Sequence, residues 1–451
     1  MNPIQIPAQP LRLLSMLWEA GFQGYAVGGC VRDSLLGLSP NDWDLCTDAL
    51  PGEMQQIFAG ERTLDNGLKH GTLTVIAEEI PYEITTFRVD GAYPDHRHPE
   101  TVRFVRDVRE DLARRDFTVN AMAYHPKTGL VDTFGGEKDL REGVLRCVGN
   151  PEERFREDGL RVMRALRFSA TYGLVPEKET DTAIRSCAAL LDPIAKERIH
   201  TELCKLLLGK DRLRVLMQYP EVIGQILPEL KPCMGFEQNN PHHCYDVYTH
   251  ILHALDACPE RDLSLLFCLL LHDAGKPAVY TEDERGGHFY GHAQVSEKLA
   301  AVALARLRCS REVTQNALEL IRWHDVVLHP TEKSIKRWLG RLGEEQFLRL
   351  LQVHRADISA QAPEQMPERL AECDAIEALS REILARGDCF SLRNLAITGN
   401  DLIQIGIPQG KKVGAALHSL LDRVIEGKIP NEREELLKEV IRQKGSKENS
   451  E

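Results

Sequence analysis

Gly28-Gly29-Cys30-Val31-Arg32-Asp33-Ser34-Leu35-Leu36-Gly37, followed by Asp42-Trp43-Asp44-Leu45, is the stretch on which the reading of this chain turns. Tyr25-Ala26-Val27 ahead of it reads as a short strand. The paired glycines turn the chain into a helix over Val31 to Leu36, which Gly37 stops. Gly29 would let the backbone approach an anionic group at the helix N-terminus, where free N–H groups and the positive dipole end favour negative charge. Arg32, one turn in, can add a charged donor to a phosphate. Asn41 to Cys46 reads as a second strand. On it Asp42 and Asp44, two apart, point to one face and can together hold magnesium. Tyr82 to Val89 is a further strand that places Glu83, with Thr85 and Phe87 on its face, as a third carboxylate. Taken singly, a Gly-Gly pair is also a plain turn, and an Asp-x-Asp is also a cap or a solvated pair.

Working outward, a helix is expected from about Pro10 to Glu19 and a strand over Thr72 to Ala77. From about Pro151 the pattern is almost wholly helical. The fold class expected is α+β and multi-domain: a small α/β head, then an all-α neck, body and tail, with boundaries at 1–145, 146–225, 226–345 and 346–451. The 451 residues exceed one ordinary core. The longest apolar run, Leu263 to Leu271, is too short for a bilayer, and Met1 to Pro10 lacks the pattern of a signal peptide. A cytoplasmic protein without membrane contact is expected. The 12 cysteines include no C-x-x-C pair, so reduced, buried thiols are expected and a zinc ribbon is not. A net charge of −12 disfavours a basic coat. Arginines nevertheless cluster at Arg103–Arg115 and Arg141–Arg167, which suits local phosphate binding as well as solvated helix faces paired with acids.

The combined order Gly-Gly-x-Val-Arg-Asp-x-x-Leu-Gly and Asp-x-Asp-Leu resembles the signature of the polymerase-β-like nucleotidyltransferases. Within them it is similar to the class II tRNA nucleotidyltransferases, the bacterial CCA-adding enzymes, and to the related poly(A) polymerases. Leu112 to Ala121 resembles the family's ribose-recognition motif, which implies that Arg115 reaches phosphate or ribose and Asp116 a 2′-OH. Asp132 to Leu140 resembles the hinge between head and neck. Glu157 to Phe168 resembles the nucleotide-selection motif. There Asp158 and Arg161, three apart, are read as neighbours on one helical face, either as a surface ion pair or as a base reader. In the second role the carboxylate accepts from the amino group of cytosine or adenine and the guanidinium donates to the adjoining ring nitrogen. Uracil and guanine present the reverse pattern. Arg164 and Arg167 continue that face and by resemblance contact the nucleotide. Glu197 to Leu203 resembles a later motif that braces the neck.

The implied activity is template-independent addition or repair of the CCA end of tRNA from CTP and ATP, with magnesium on Asp42 and Asp44 and two-metal catalysis. Asp90 to Pro99 resembles the loop that full CCA-adding members use in switching from C to A. No Gly-Arg-Arg-Phe-like segment of the poly(A) polymerases follows the head strands. A-only addition shares every motif and stays open. In the body, His250, then His272-Asp273, then His288 and His292, then His324-Asp325 resemble an HD domain. That implies a second divalent metal on His250, His272, Asp273 and Asp325, and a reading of a different class, a metal-dependent phosphohydrolase with a vestigial polymerase site. By analogy the tail, 346–451, would grip the tRNA. The sequence gives no oligomeric state.

Overall fold

The structure is a computed structural model and describes residues 2–91, 101–241, 243–284, 286–364 and 366–448. Two compact units divide at Pro228/Glu229. The first carries nine strands of a head, β1 (Gly24–Val27), β2 (Leu45–Thr47), β3 (Arg62–Leu64), β4 (Thr72–Ala77), β5 (Ile80–Thr86), β6 (Arg88–Asp90), β7 (Val102–Phe104), β8 (Ala123–His125) and β9 (Gly129–Val131). Seven of them form one sheet in the order β3-β4-β5-β2-β1-β8-β9. β2 runs antiparallel to β1 and parallel to β5, with Leu45 beside Ile84 and Cys46 beside Thr85. One step back, this register sets Asp44 beside Glu83.

Two expected strands differ in extent. Asp42 to Asp44 is an extended approach to β2, and only Leu45–Thr47 joins the ladder. The alternation still holds, because Trp43 is buried between the exposed Asp42 and Asp44. Tyr82 to Val89 divides into β5 and β6, and β6 pairs with β7 in a separate hairpin. Phe87, at the division, leaves the face of Glu83 and is fully buried with Val27, Cys46 and Leu112. An apolar ring at the end of a strand gains more from the core than from an exposed face.

The helices of this unit are α1 (Ala8–Glu19), α2 (Gly29–Leu36), α3 (Pro51–Ile57), α4 (Val108–Ala113), α5 (Gly136–Glu142), α6 (Pro151–Glu157), α7 (Leu160–Tyr172), α8 (Lys178–Ser186), α9 (Lys196–Leu207), α10 (Arg212–Gln218) and α11 (Pro220–Ile226). Asn150 caps α6 by accepting from Glu152 and Glu153 N–H, and Pro151 takes the first position. Between α6 and α7 the chain leaves the helix at Asp158, at φ −137°. Gly159 then passes the Leu190 carbonyl so closely that a Cβ would lie 2.5 Å from its oxygen. The single helix expected through Asp158 is therefore two, and α7 packs its Val162, Met163 and Leu166 side against α9.

The second unit is helical: α12 (Val247–Ala257), α13 (Leu263–Leu271), α14 (Lys276–Val279), α15 (His292–Arg306), α16 (Arg311–Trp323), α17 (Glu332–Leu342), α18 (Glu344–Ser359), α19 (Met366–Ala385), α20 (Gly399–Gln404), α21 (Lys411–Ile425) and α22 (Arg433–Glu448). α13 is buried from Ser264 to Leu271 and is packed by α12, α15, α16 and α18, as a helix apolar all round must be. The expected boundary at 345/346 cuts through α18, which packs on α12, α13, α16 and α17 and also on α19. The C-terminal helices have their own core, centred on Leu402, Leu420 and Leu436. Among the described residues no helix is long and apolar enough to cross a membrane. Of the cysteines, Cys204 and Cys309 are half-buried, Cys244 is exposed and the rest are buried, all with free thiols.

Gly159→Ala should force α7 away from the Leu190 carbonyl and destabilise it by about 1–3 kcal/mol. Amide exchange across Leu160–Tyr172 in the full chain should quicken accordingly, while α13 keeps its protection.

Candidate active site and metal centre

The strand-to-helix turn of the head is built on Gly28. Its φ of +79° suits glycine, and a Cβ there would lie 2.7 Å from an Nη of Arg115. Gly29, the glycine expected to matter, has room for a side chain. The missing Cβ of Gly28 thus lets the Arg115 guanidinium lie over the turn, 3.5 Å from Asp111. Asp111 is itself buried and held low, because Arg114 and Arg115 outweigh the effect of burial. Arg115 also opposes Asp44. Although the residue keeps exposed surface, the protein packed around the Asp44 carboxyl pushes it up to about 6, helped by the like charges of Asp42 and Glu83 and against the pull of Arg115. The register and this mutual influence bring the three expected carboxylates to one place.

Arg32 does not stand open to a phosphate. Burial places its guanidinium on Asp33 (2.8 Å), Asn120 (2.5 Å) and the Tyr172 hydroxyl (2.6 Å), and over the Tyr172 ring at 4.3 Å. It braces α2 against α7, and Arg115 is the cation at the turn. Asp116 is likewise engaged. One oxygen accepts from Phe117 N–H (2.8 Å) and Asn120 (3.0 Å), and the other from Arg164 (2.8 Å). Burial disfavours its charge, but Arg164, Asn120 and Arg161 outweigh that and hold the carboxyl far below the usual range.

Asp158 and Arg161 do not form the expected pair on one face, because the helix breaks between them. Asp158 accepts from Leu160 N–H (3.1 Å) and binds Arg198 of α9 at 2.8 Å. Arg161 pairs with Glu157 and donates to the carbonyls of Arg154 (2.9 Å) and Arg114 (3.2 Å). Arg167 binds Glu202 at 2.7 Å and lies 3.8 Å from the Phe168 ring centre. Glu157, Arg198 and Glu202 are thus part of the arrangement. All three lie inside the two neck motifs, where their charge was the available signal.

In the second unit His250, His272 and Asp273 converge as expected, but the fourth donor is Asp357. Its carboxylate lies 2.9 Å from His250 and 3.3 Å from His272. Asp325, two residues past the end of α16, has a side chain 68% exposed and lies 3.9 Å from His292. α18, packed on α12 and α13, carries Asp357 across a sequence gap of 107 residues. His292 and His324 join Asp273 in a second group, and His288 instead pairs with Asp283 at 2.9 Å. Burial disfavours a charged His272, yet Asp273 and Asp357 prevail and hold it up to about 10. Lys276, buried, reaches Asp273 at 2.8 Å.

Three family models match: the poly(A) polymerase head domain over residues 24–146, the RNA and SrmB-binding site of polymerase A over 173–234, and the tRNA nucleotidyltransferase domain 2 over 287–440. A CCA-adding enzyme of Ligilactobacillus salivarius is 43% identical over 257 residues, 54% of this chain and 63% of that one. A CCA-adding enzyme of Latilactobacillus sakei is 33% identical over 96% of this chain and 97% of its own length. The crystal structure of the Bacillus stearothermophilus CCA-adding enzyme in complex with CTP superposes with a TM-score of 0.69 at 28% identity, covering 98% of each chain.

The depressed carboxyl of Asp116 contributes stability that is fully present above its ordinary value of about 4 and is lost as pH falls through the lower native value. Asp116→Asn should therefore cost about 1–3 kcal/mol at pH 7, with the gap to wild type closing below about pH 4. Urea unfolding of the full chain at a series of pH values, read by pulsed amide labelling of α7, measures it.

Proposed function

The chain belongs to the family of CCA-adding enzymes, and on that premise we propose that it adds or repairs the 3′-terminal CCA of tRNA from CTP and ATP without a nucleic-acid template. The observation that carries this reading is the placement of Asp42, Asp44 and Glu83 together beside the Gly28 turn, with Arg115 lying over it. Three carboxylates with no softer donor suit magnesium. Bound there, magnesium would favour deprotonation of the terminal tRNA hydroxyl and neutralise the departing pyrophosphate. Asp42 and Asp44 hold the metal, Glu83 completes the anionic face, and Arg115 supplies the cation for the triphosphate. The hydroxyl oxygen attacks the α-phosphorus, the bond to the β-phosphate breaks, and the hydroxyl proton passes to solvent or to a carboxylate.

Base choice is assigned to Asp158 and Arg161 as separate readers with their own supports. Arg198 orients the Asp158 carboxylate as acceptor for the amino group of C or A, and Glu157 orients Arg161 as donor to the ring nitrogen. Residues 92–99 of the loop that resembles the one full CCA-adding members use in switching from C to A lie outside the described residues. The name shared by the relatives over the full length favours full addition. A second reading concerns the body, where His250, His272, Asp273 and Asp357 provide nitrogen and oxygen donors for a divalent metal. That site accompanies the polymerase site and does not replace it.

Asp42→Ala and Asp44→Ala should each abolish nucleotide incorporation into tRNA lacking CCA while the protein stays folded. Wild-type-like incorporation by either variant defeats the metal assignment.

Asp158→Ala should lower kcat/KM for CTP and ATP about tenfold to a hundredfold, on the order of 1–3 kcal/mol, by leaving the amino group unpaired. UTP loses a carbonyl–carboxylate repulsion in the same variant, so the CTP/UTP ratio of kcat/KM should fall as well. An equal drop for all four nucleotides would reduce Asp158 to a partner of Arg198.

A further inference from the structure

We infer that Asp111 is a positioning residue for the triphosphate: its Oδ2 holds the Arg115 guanidinium loosely over the Gly28 turn, from where an incoming nucleotide draws it away. The inference rests on the reading of Arg115 given above and deepens it.

Asp111, near the end of α4, is 1% exposed, and its two oxygens have different tasks. Oδ1 accepts from the Arg88 N–H of β6 at 3.3 Å and from Nε of Arg114 at 3.0 Å. Arg114 in turn presents its carbonyl to Arg161 at 3.2 Å. This oxygen therefore ties the end of α4 to β6 and, through Arg114, to the start of α7. Oδ2 faces Nη2 of Arg115 at 3.5 Å. Burial disfavours the charge of Asp111, but Arg114 and Arg115 keep it ionised, so the attraction persists at neutral pH.

A buried carboxylate oxygen ordinarily finds a hydrogen-bond partner. Among the described residues neither Oδ2 of Asp111 nor Nε of Arg115, both buried, has an aligned one. A guanidinium that served only to neutralise this carboxylate would dock on it as a two-pronged fork at about 2.8 Å. Arg115 is attracted but not bonded. Attraction without a directional bond keeps it near the turn and lets it leave easily. Nη1, at the other side of the same guanidinium, lies where a Cβ on Gly28 would stand 2.7 Å away. One cation thus spans the carboxylate and the turn. A triphosphate brings more negative charge than one carboxylate, and its oxygens can accept along the N–H directions. Arg115 exchanges a misaligned contact for aligned ones, while Oδ1 keeps Arg114 and Arg88 in place.

The test uses the full chain, with tRNA lacking CCA for CTP and tRNA ending in CC for ATP. Asp111→Asn keeps an oxygen for Arg88 and Arg114 and turns an amide NH2 towards Arg115. It should raise KM for CTP and ATP alike by about tenfold. kcat and the CTP/UTP ratio of kcat/KM should hold, because the phosphates and not the base are affected. Inhibition by inorganic pyrophosphate, which has neither base nor ribose, should weaken by the same factor. In an Arg115→Ala background Asp111→Asn should cost nothing further. Gly28→Ala pushes the same guanidinium from the opposite side and leaves the carboxylate in place. It should also raise both KM values, and Arg115→Ala, by clearing the space, should remove that effect. If circular dichroism shows Asp111→Asn unfolded, the Gly28→Ala arm decides alone. Losses that multiply in the double variants, or a fall in kcat with KM intact, overturn the inference and leave Asp111 a support of the fold. If Arg115→Ala alone changes neither KM nor pyrophosphate inhibition, Arg115 does not hold the triphosphate and both readings fall.

Discussion

The parallel pairing of β2 with β5 is the constraint from which the rest of the head follows. Parallel neighbours keep residues of like orientation side by side, so fixing Leu45 beside Ile84 commits Asp44 and Glu83 to the same edge. A slip of one residue would turn Asp44 inward and Trp43 outward, burying a charge and exposing an indole. The core therefore enforces a register that the acidic edge, by like-charge repulsion, resists. The raised carboxyl of Asp44 reflects first the protein packed around it and then that repulsion, and Arg115 over Gly28 offsets part of both.

A second principle governs the neck. The segment proposed to read the base is assembled from interlocked acids and arginines: Asp116 with Arg164, Asp158 with Arg198, Glu157 with Arg161, and Glu202 with Arg167. Each pair joins separate elements or clamps a helix end. In the proposed role an incoming base would meet groups already oriented, and would gain contacts only by matching donors and acceptors that the ion pairs hold in place. Rejection of a wrong base would then come from unmatched buried groups, which cost more than a good match contributes.

How much of this the sequence disclosed depends on the range of the interaction. The strand–glycine–helix turn, the face shared by Asp42 and Asp44, and the switch from α/β to α are local patterns and were legible. The broken helix at Asp158 was not, because the Leu190 carbonyl that crowds Gly159 lies 31 residues on. The partner of Arg32 was hidden for a similar reason: Tyr172, whose hydroxyl accepts from its guanidinium, lies 140 residues away. Asp325 looked like the distal metal carboxylate because it adjoins His324. Asp357 could be found only through the packing of α18 on α12 and α13. Charged residues signal that they will be satisfied, but their position in the chain does not reveal by what.

The cysteines carry a consequence of a different kind. Burial pushes the thiols of Cys30, Cys147 and Cys233 up to about 12, and those of Cys46 and Cys268 are also raised, so the folded chain keeps most of its sulfur chemically silent. Cys30, Cys46 and Cys147 belong to the first unit, Cys233 and Cys268 to the second. The molecule thus contains a clock in each half. An alkylating reagent that marks Cys244 at once would reach the others only as their own unit opens, and the order in which sites are marked would record which half loosens first.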